Sequence, residues 1–370
     1  MSVKSMLDSD ERFREIIKEH LPKREQFRTN KGDKAFSTKY KLLAPNTLPG
    51  RYYSTLAGTA FDYAARFITA RYASGNCGEE NEITSNATSD LNSFYGLVAV
   101  RKLIGGEAYK KMHDRYIEHL SRVKAYLKQP EADHSILSEP CSYFARLEHI
   151  YRSGGILPRD GYEVLLKNEP QEVYDDLKRL CDVFFETFIT SGIVHDGSKV
   201  VFNPTFGKVS TLIDGADADI YMGGVLYDFK AAKESRYRWQ EVAQIYVYYL
   251  LDCLEKISVG NDSQTAVAGK IHSIAPYKAR FRMVESFDVM QIDREDLIDT
   301  LVKLKDYLCT VEMRMKRPGR PESMDTQTDT IAAEITADVA EIRHSYMQAG
   351  MMAEVNDVKI RSWADTLYST

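Results

Sequence analysis

Apolar residues recur at helical spacing through much of the first half of the chain. Five stretches place them three or four positions apart, which predicts amphipathic helices. These stretches cover 59–73, 91–103, 107–127, 139–155 and 169–191. Gly192 follows the last of them and is a favoured residue just beyond a helix. We therefore expect residues 55–192 to be largely helical.

The pattern changes after residue 193, where short apolar runs are separated by turn residues and predict strands. The predicted strands cover 200–204, 209–213, the two arms of a hairpin at 216–231, 270–277 and 279–285. Residues 239–251 are apolar on nearly all sides, so we expect a buried helix there. That stretch is too short to span a bilayer.

The hairpin segment gathers charged residues around one turn. Gly223-Gly224 is a favoured two-residue hairpin loop, so Met222 should pair with Val225. The same register sets Asp219 directly opposite Asp228. Opposed side chains lie about 5 Å apart, and like charges at that distance destabilise a strand pair. A shared divalent cation converts this repulsion into coordination.

Two more polar residues complete this face, because the register sets Asp217 opposite Lys230 and side chains alternate along a strand. The opposite face should be apolar and buried; it carries Ala218, Ile220, Met222, Val225, Tyr227 and Phe229. A lysine beside two metal-binding carboxylates suits magnesium-dependent phosphoester chemistry. The alternative is an acidic hairpin face that is merely solvated.

The predicted buried helix carries two polar groups on one side. Gln244 and Tyr248 are four residues apart and share a helical face. A buried glutamine needs a hydrogen-bond partner, so Gln244 should reach into a polar site. Tyr248 either joins it there or is part of the core.

Composition and charge exclude several classes of protein. The chain has 370 residues, 44% of them hydrophobic, and a net charge of −5, so it is neither disordered throughout nor a generally basic coat protein. No run of about 18 apolar residues predicts a membrane span, and the N-terminus lacks the apolar core of a signal peptide. The five cysteines are scattered, which favours a reducing, cytoplasmic setting and argues against a disulfide framework or zinc site.

Cations follow the hairpin and offer contacts to a phosphate backbone. They are Lys233, Arg236 and Arg238, with Tyr237 and Trp239 among them as candidate stacking residues. The basic and aromatic residues of 1–50 have the same potential. In both segments a solvated loop or polar arm is the alternative.

The hairpin and the helix after it resemble the PD-(D/E)XK nuclease superfamily, in its RecB-like branch. That family has an acid on one strand, Asp/Glu-x-Lys on the next and a helix with Gln-x-x-x-Tyr. The corresponding residues here are Asp219, then Asp228-Phe229-Lys230, then Gln244 and Tyr248, within about residues 195–285.

The resemblance implies a mixed α/β fold, with a restriction-endonuclease-like central sheet flanked by helices and with helical additions at both ends. It implies Mg²⁺ or Mn²⁺ on Asp219, Asp228 and the Phe229 carbonyl, with Asp217 as second choice. Asp62, in Gly58-Thr59-Ala60-Phe61-Asp62, matches a position where relatives carry a further ligand, and an aspartate favoured by its helix end is the alternative. The clustered cysteines that bind iron–sulfur clusters in some relatives are missing, so none is expected.

Other family features concern the substrate. Tyr277-Lys278-Ala279-Arg280 is similar to a family element in which the arginine touches phosphate, so Arg280 is a candidate contact; a charged edge strand is the alternative. Lys230 would orient the attacking water or stabilise the phosphorane-like transition state, with Gln244 and Tyr248 supporting the site. The implied substrate is nucleic acid, DNA in most relatives, with RNA left open.

The predicted organisation has five parts: a basic N-terminal arm (1–54), a helical region (55–192), a nuclease core (193–316), a linker (317–330) and a C-terminal helical segment (331–370). The last part could pack on the core, pair two copies or dock a protein partner. The implied activity is a metal-dependent nuclease. The alternative is a catalytically inactive or partner-activated nucleic-acid-binding subunit of a phage-defence or DNA-repair complex.

Overall fold

The computed structural model describes residues 3–75, 81–89, 91–104, 106–129, 132–159, 161–213, 215–259, 270–315, 352 and 355–369. Its described strands form a six-stranded sheet in the order β1-β6-β5-β4-β3-β2. They are β1 (Arg28–Thr29), β2 (Val200–Phe202), β3 (Ile220–Met222), β4 (Val225–Lys230), β5 (Ser273–Lys278) and β6 (Met283–Asp288). Only the β4–β5 pair within this sheet is parallel.

Helices surround the sheet. In chain order they are α1 (Val3–Ser9), α2 (Glu11–Glu19), α3 (Gly50–Ala73), α4 (Glu82–Thr88), α5 (Asn92–Ile104), α6 (Gly106–Lys128), α7 (Ser138–Arg152), α8 (Gln171–Phe184), α9 (Trp239–Val259), α10 (Arg294–Met315) and α11 (Asp357–Tyr368). The mixed α/β class expected from the sequence is confirmed. None of the helices described combines the length and the hydropathy that crossing a bilayer requires.

The central hairpin has the predicted register. Met222 pairs with Val225 and Ile220 with Tyr227 across the turn. Gly223 and Gly224 both have positive φ, at 58° and 81°, which a type I′ turn requires and glycine supplies without steric cost. The register expected from the two glycines is therefore confirmed over the paired part of the hairpin.

Both faces of the sheet are covered. On one face Leu226 and Ile274 pack with α9, whose buried residues include Tyr246 and Leu250. On the other face Tyr227, Phe229 and Tyr277 meet aromatic residues of α3 and α8, such as Phe61 and Phe184. Helix α9 links β4 to its parallel neighbour β5, as parallel pairing requires. Helix α9 therefore covers the face of the hairpin on which Asp228 and Lys230 lie. This argues against the alternative of a merely solvated hairpin face.

The N-terminal segment predicted as a basic arm is part of the core. Strand β1 pairs with β6 at the sheet edge. Phe13, Phe27 and Phe36 are buried in the cluster that α9 completes. The charged residues that dominate this segment occupy its outer side, and they concealed an apolar inner side from the sequence pattern.

Two other local predictions are wrong. Residues 209–213 form the end of a 3₁₀ helix, Gly207–Ile213, where a strand was expected. The sequence pattern predicts no helix between 59–73 and 91–103, but α4 lies there, and Asn81 caps it by accepting a hydrogen bond from the Thr84 backbone N–H.

The structure describes only part of the predicted linker and C-terminal segment. The linker 317–330 and the apolar positions between 331 and 346 lie outside the described residues. Helix α11 packs on the core through buried Ile360 and Ala364. Its Asp365 pairs with Arg294 of α10. This helix therefore packs on the core, and the pairing of two copies and the docking of a protein partner stay predictions.

Candidate functional site

The site forms where β3 and β4 part. The β3–β4 pairing ends at Ile220 and Tyr227, and Asp219 lies one residue beyond it. The Asp219 carboxylate accepts a hydrogen bond from the backbone N–H of Phe229 on β4. This bond holds Asp219 against the strand segment that carries Asp228 and Lys230.

The two acids and the lysine interact strongly. Burial raises the pKa of Asp219, and the negative charge of Asp228 raises it further. Burial also raises the pKa of Asp228, against the opposing effect of Lys230. For Lys230 burial disfavours the charged form, but Asp228 and Asp219 outweigh it and the pKa is raised. Lys230 is therefore a charged ammonium beside two acids.

Lys230 is held from two sides. Its Nζ lies 2.5 Å from Oδ2 of Asp228 and donates a hydrogen bond of 3.1 Å to Oε1 of Gln244 on α9. Gln244 Nε2 in turn donates to the hydroxyl of Tyr248 at 2.7 Å. Tyr248 is buried and its ring stacks on Phe206. The helix residues named from the motif thus reach Lys230 through one continuous chain of contacts.

Asp62 approaches the site from α3, on the other side of the sheet. Burial raises its pKa well above the ordinary value, and repulsion from Asp219 and then Glu148 adds to the effect. Its carboxylate makes no hydrogen bond or ion pair with any of the residues described here. Helix α3 lies close to the chain just after β4 at this point, since a Cβ at Gly58 would be in ordinary van der Waals contact with the Cβ of Ala231, at 3.9 Å.

Asp217 is not opposite Lys230. Its backbone forms an isolated antiparallel bridge with Thr205, because the chain before β3 turns away from β4. Its carboxylate pairs with Arg152 Nη2 at 3.2 Å. Ala218, expected on the face of Phe229, is buried in the cluster on the other side of the sheet. The predicted one-face arrangement therefore fails at these two residues.

Three site residues carried no sequence signal for the site: Tyr63 of α3, and Glu148 and Arg152 of α7. Glu148 of α7 accepts hydrogen bonds of 2.6 Å from the Tyr63 hydroxyl and from Arg152 Nε. The Glu148–Arg152 spacing of four residues was visible in the sequence, but such pairs are common on solvated helices.

Several of these groups, but not Asp228 or Lys230, line an open cleft at the end of the sheet. Asp62, Asp217 and Asp219 contribute its acidic side. The rest of the lining is Thr59, Tyr63, Arg66, Asn92, Glu148, Arg152 and Asn203.

The residues predicted to contact nucleic acid differ in their exposure and in the partners that they already have. Lys233 and Arg236 are exposed in the loop after β4, whereas Arg238 is half-buried. Arg236 and Arg238 both pair with Glu234. The candidate stacking residues are engaged elsewhere: Tyr237 donates to the Pro22 carbonyl, and Trp239 lies under the Lys18 ammonium. Of the predicted cations, Lys233 and Arg236 are the most accessible to a ligand.

Arg280 does not contact the cleft, and its prediction as a phosphate contact is wrong. The residue is fully buried, and its Nη1 and Nη2 donate to the two carboxylate oxygens of Asp176 at 2.9 and 2.8 Å. It also donates to the Ala44 and Ala231 carbonyls. Every one of these bonds is internal, so Arg280 stabilises the packing of α8 and the N-terminal segment on the sheet.

The donor set at Asp219 and Asp228 fits a hard divalent cation, because it offers carboxylate oxygens whose repulsion a cation relieves. Asp62 adds a third carboxylate, but the three do not converge within 4.8 Å of one another. Among the described residues, the one trio that does so is Glu19, His20 and Asp299, on α2 and α10. There the Lys303 ammonium already contacts both carboxylates. Two carboxylates with substrate and water completing the shell is the usual arrangement for Mg²⁺.

The four cysteines within the described residues, Cys141, Cys181, Cys253 and Cys309, are free. Comparisons of the chain with protein-family models, with curated proteins and with solved structures found no match.

Proposed function

We propose that this protein is a Mg²⁺-dependent nuclease, with Mn²⁺ able to replace Mg²⁺, that hydrolyses phosphodiester bonds of DNA. The observation that carries the proposal is the placement of Lys230. Its ammonium contacts Asp228 and Gln244. The backbone N–H of Phe229, between Asp228 and Lys230 on β4, holds the Asp219 carboxylate. The order of acid, Asp-x-Lys and Gln-bearing helix supports a likeness to the PD-(D/E)XK nucleases.

Asp219 and Asp228 would hold the cation, with Asp62 as the third acid nearby. The Phe229 carbonyl stays a proposed ligand. When bound, a divalent cation lowers the pKa of a coordinated water and neutralises charge that develops on phosphate.

Lys230 supplies the remaining positive charge. Its Nζ can donate to the attacking water or to a non-bridging phosphate oxygen without first gaining a proton, because its raised pKa keeps it charged. Gln244 accepts one of its hydrogens and thereby fixes the direction of the others. Tyr248 holds Gln244 and stays protonated, since burial raises its pKa well above the ordinary value.

Cleavage assays test the proposal. Single-stranded, double-stranded and circular DNA are incubated with the protein and Mg²⁺, Mn²⁺ or EDTA, and products are resolved on gels. We expect metal-dependent degradation by the wild type and by Lys303→Ala, a lysine that also pairs with two acids but lies on α10. Lys230→Ala should lose it. Equal degradation by Lys230→Ala, or none by the wild type with either metal, contradicts the proposal.

A further inference from the structure

Two tyrosines in contact lie beside the cleft: Tyr95 on α5 is exposed, and Tyr151 on α7 is half-buried. Gly96 sets the distance between these helices: it packs against the Leu147 backbone, and a Cβ at that position would collide with the Leu147 carbonyl. Tyr95 directly precedes Gly96 on α5 and is 46% exposed. Its ring centroid lies 5.4 Å from that of Tyr151 at the end of α7.

The pair is continuous with the cleft at two points. Asn92 lines the cleft and precedes Tyr95 by three residues, so both occupy the same side of α5. Glu148 also lines the cleft and precedes Tyr151 by three residues, so both occupy the same side of α7. The tyrosine pair therefore borders the wall of the cleft that Asn92 and Glu148 form.

Arg152 is the accessible cation of this wall. The other arginine that lines the cleft, Arg66, is buried and donates to the carbonyls of Asn86 and Ser89. The side chain of Arg152 is 48% exposed, and its bonds to Glu148 and Asp217 fix its direction. A guanidinium held in this way is pre-organised for a phosphate oxygen.

We propose that Arg152 and the Tyr95–Tyr151 pair form a subsite for an unpaired nucleotide adjacent to the cleaved phosphate. The inference rests on the proposed nuclease function and extends it to a preference for single-stranded substrate. Arg152 contacts the backbone phosphate and the base stacks on the exposed tyrosine ring. Stacking on aromatic residues tolerates any base, but it requires a base that has left its duplex partner.

Binding measurements separate this subsite from catalysis. The probe is a single-stranded 12-nucleotide DNA of mixed sequence with a fluorescein label, and anisotropy is measured with Ca²⁺ in a Lys230→Ala background to prevent cleavage. Adding Tyr95→Ala should weaken binding roughly tenfold, and Tyr95→Phe should retain it. Tyr52→Ala is the matched control, because Tyr52 is 51% exposed, packs edge-on against Tyr53 and is not part of the cleft lining.

Two further binding measurements identify the kind of nucleic acid that the subsite binds. A 12-base-pair blunt duplex should bind Tyr95→Ala and its parent equally, since its bases are not free to stack. A single-stranded RNA of the same sequence should show the same dependence on the ring as DNA. Arg152→Gln should weaken binding and reduce the slope of log K against log salt by about one ion.

The outcomes distinguish the two proposals. Equal single-strand affinity in Tyr95→Ala and Tyr52→Ala, or equal loss in Tyr95→Phe and Tyr95→Ala, overturns the subsite even if the wild type cleaves DNA. Ring-dependent single-strand binding in a protein that cleaves nothing with any metal supports the subsite and overturns the nuclease. Thermal melting of each variant is compared with that of the Lys230→Ala parent, and an unchanged melting temperature is the criterion for an intact fold.

Discussion

The carboxylate of Asp219 accepts a hydrogen bond from the backbone N–H of Phe229. Asp219 lies before β3 and Phe229 lies within β4, so the bond joins the two segments beyond the point where their strand pairing stops. Phe229 stands between Asp228 and Lys230. One backbone donor therefore brings together the three charged residues on which the proposed chemistry depends.

Asp219→Asn should abolish function without unfolding the protein. The amide oxygen still accepts from the Phe229 N–H, whereas the negative charge that attracts a cation is lost. We expect Mg²⁺-dependent cleavage to fall by at least about 100-fold. The melting temperature without metal should stay the same or rise, because repulsion from Asp228 disappears. Cleavage near the wild-type rate would show that Asp219 is not a metal ligand.

Lys230 should contribute to stability as well as to activity. Lys230→Met leaves Asp228 buried without its ion-pair partner, which typically costs about 3 kcal/mol or more. The double variant Lys230→Met/Asp228→Asn should recover most of that loss. Denaturant unfolding in EDTA measures both free energies. If the double variant is no more stable than the single one, the pair does not couple as its geometry implies.

The fully buried ion pair of Asp176 and Arg280 should be a structural contact alone. Asp176→Asn leaves the guanidinium without its anion, and we expect a loss of about 3–5 kcal/mol in unfolding free energy. Glu186→Gln removes the acid of the exposed Arg282–Glu186 pair and should cost less than about 1 kcal/mol. Denaturant titration of both variants gives the comparison, and equal losses would contradict the role assigned to burial.

Glu285 should make stability depend on pH. Burial raises the pKa of Glu285 from 4.5 to about 7, against the opposing effects of Lys278 and the Phe36 N–H. The folded protein then binds this proton more tightly than the unfolded chain does, so stability is lost as pH rises between those two values.

At pH 8 the ionised Glu285 should lower the free energy of unfolding by about 3 kcal/mol. Glu285→Gln removes it, so the variant should gain stability relative to the wild type between pH 4.5 and 7. Unfolding free energies across this range measure the difference, and a constant offset would mean that Glu285 does not titrate there.

The hairpin could be predicted from sequence because two constraints agreed. Gly223-Gly224 fixed the turn, and the period of two then fixed the pairing up to Tyr227. The prediction failed at Asp217, because alternation holds only while strands stay paired and the chain there pairs with Thr205 instead. Residues 209–213 failed because a short apolar run fits a strand and a helical turn equally well.

Contacts between residues far apart in the chain could not be predicted from the sequence. Arg280 reads as a surface cation until its partner Asp176, 104 residues earlier, is seen beside it. Glu148 and Arg152 form an ordinary helix pair in sequence, and only the packing of α7 beside the hairpin places them in the cleft. A single sequence contains no signal for either juxtaposition.

Metal binding tests the central claim most directly. Titration calorimetry with Mn²⁺ on the metal-free protein should show one site whose affinity falls by at least about tenfold in Asp228→Asn. Asp252→Asn is the control, because that buried aspartate of α9 pairs with Lys256. Its Mn²⁺ affinity should match that of the wild type. A wild-type protein that binds no Mn²⁺, or an Asp228→Asn variant that binds it equally well, would contradict the account.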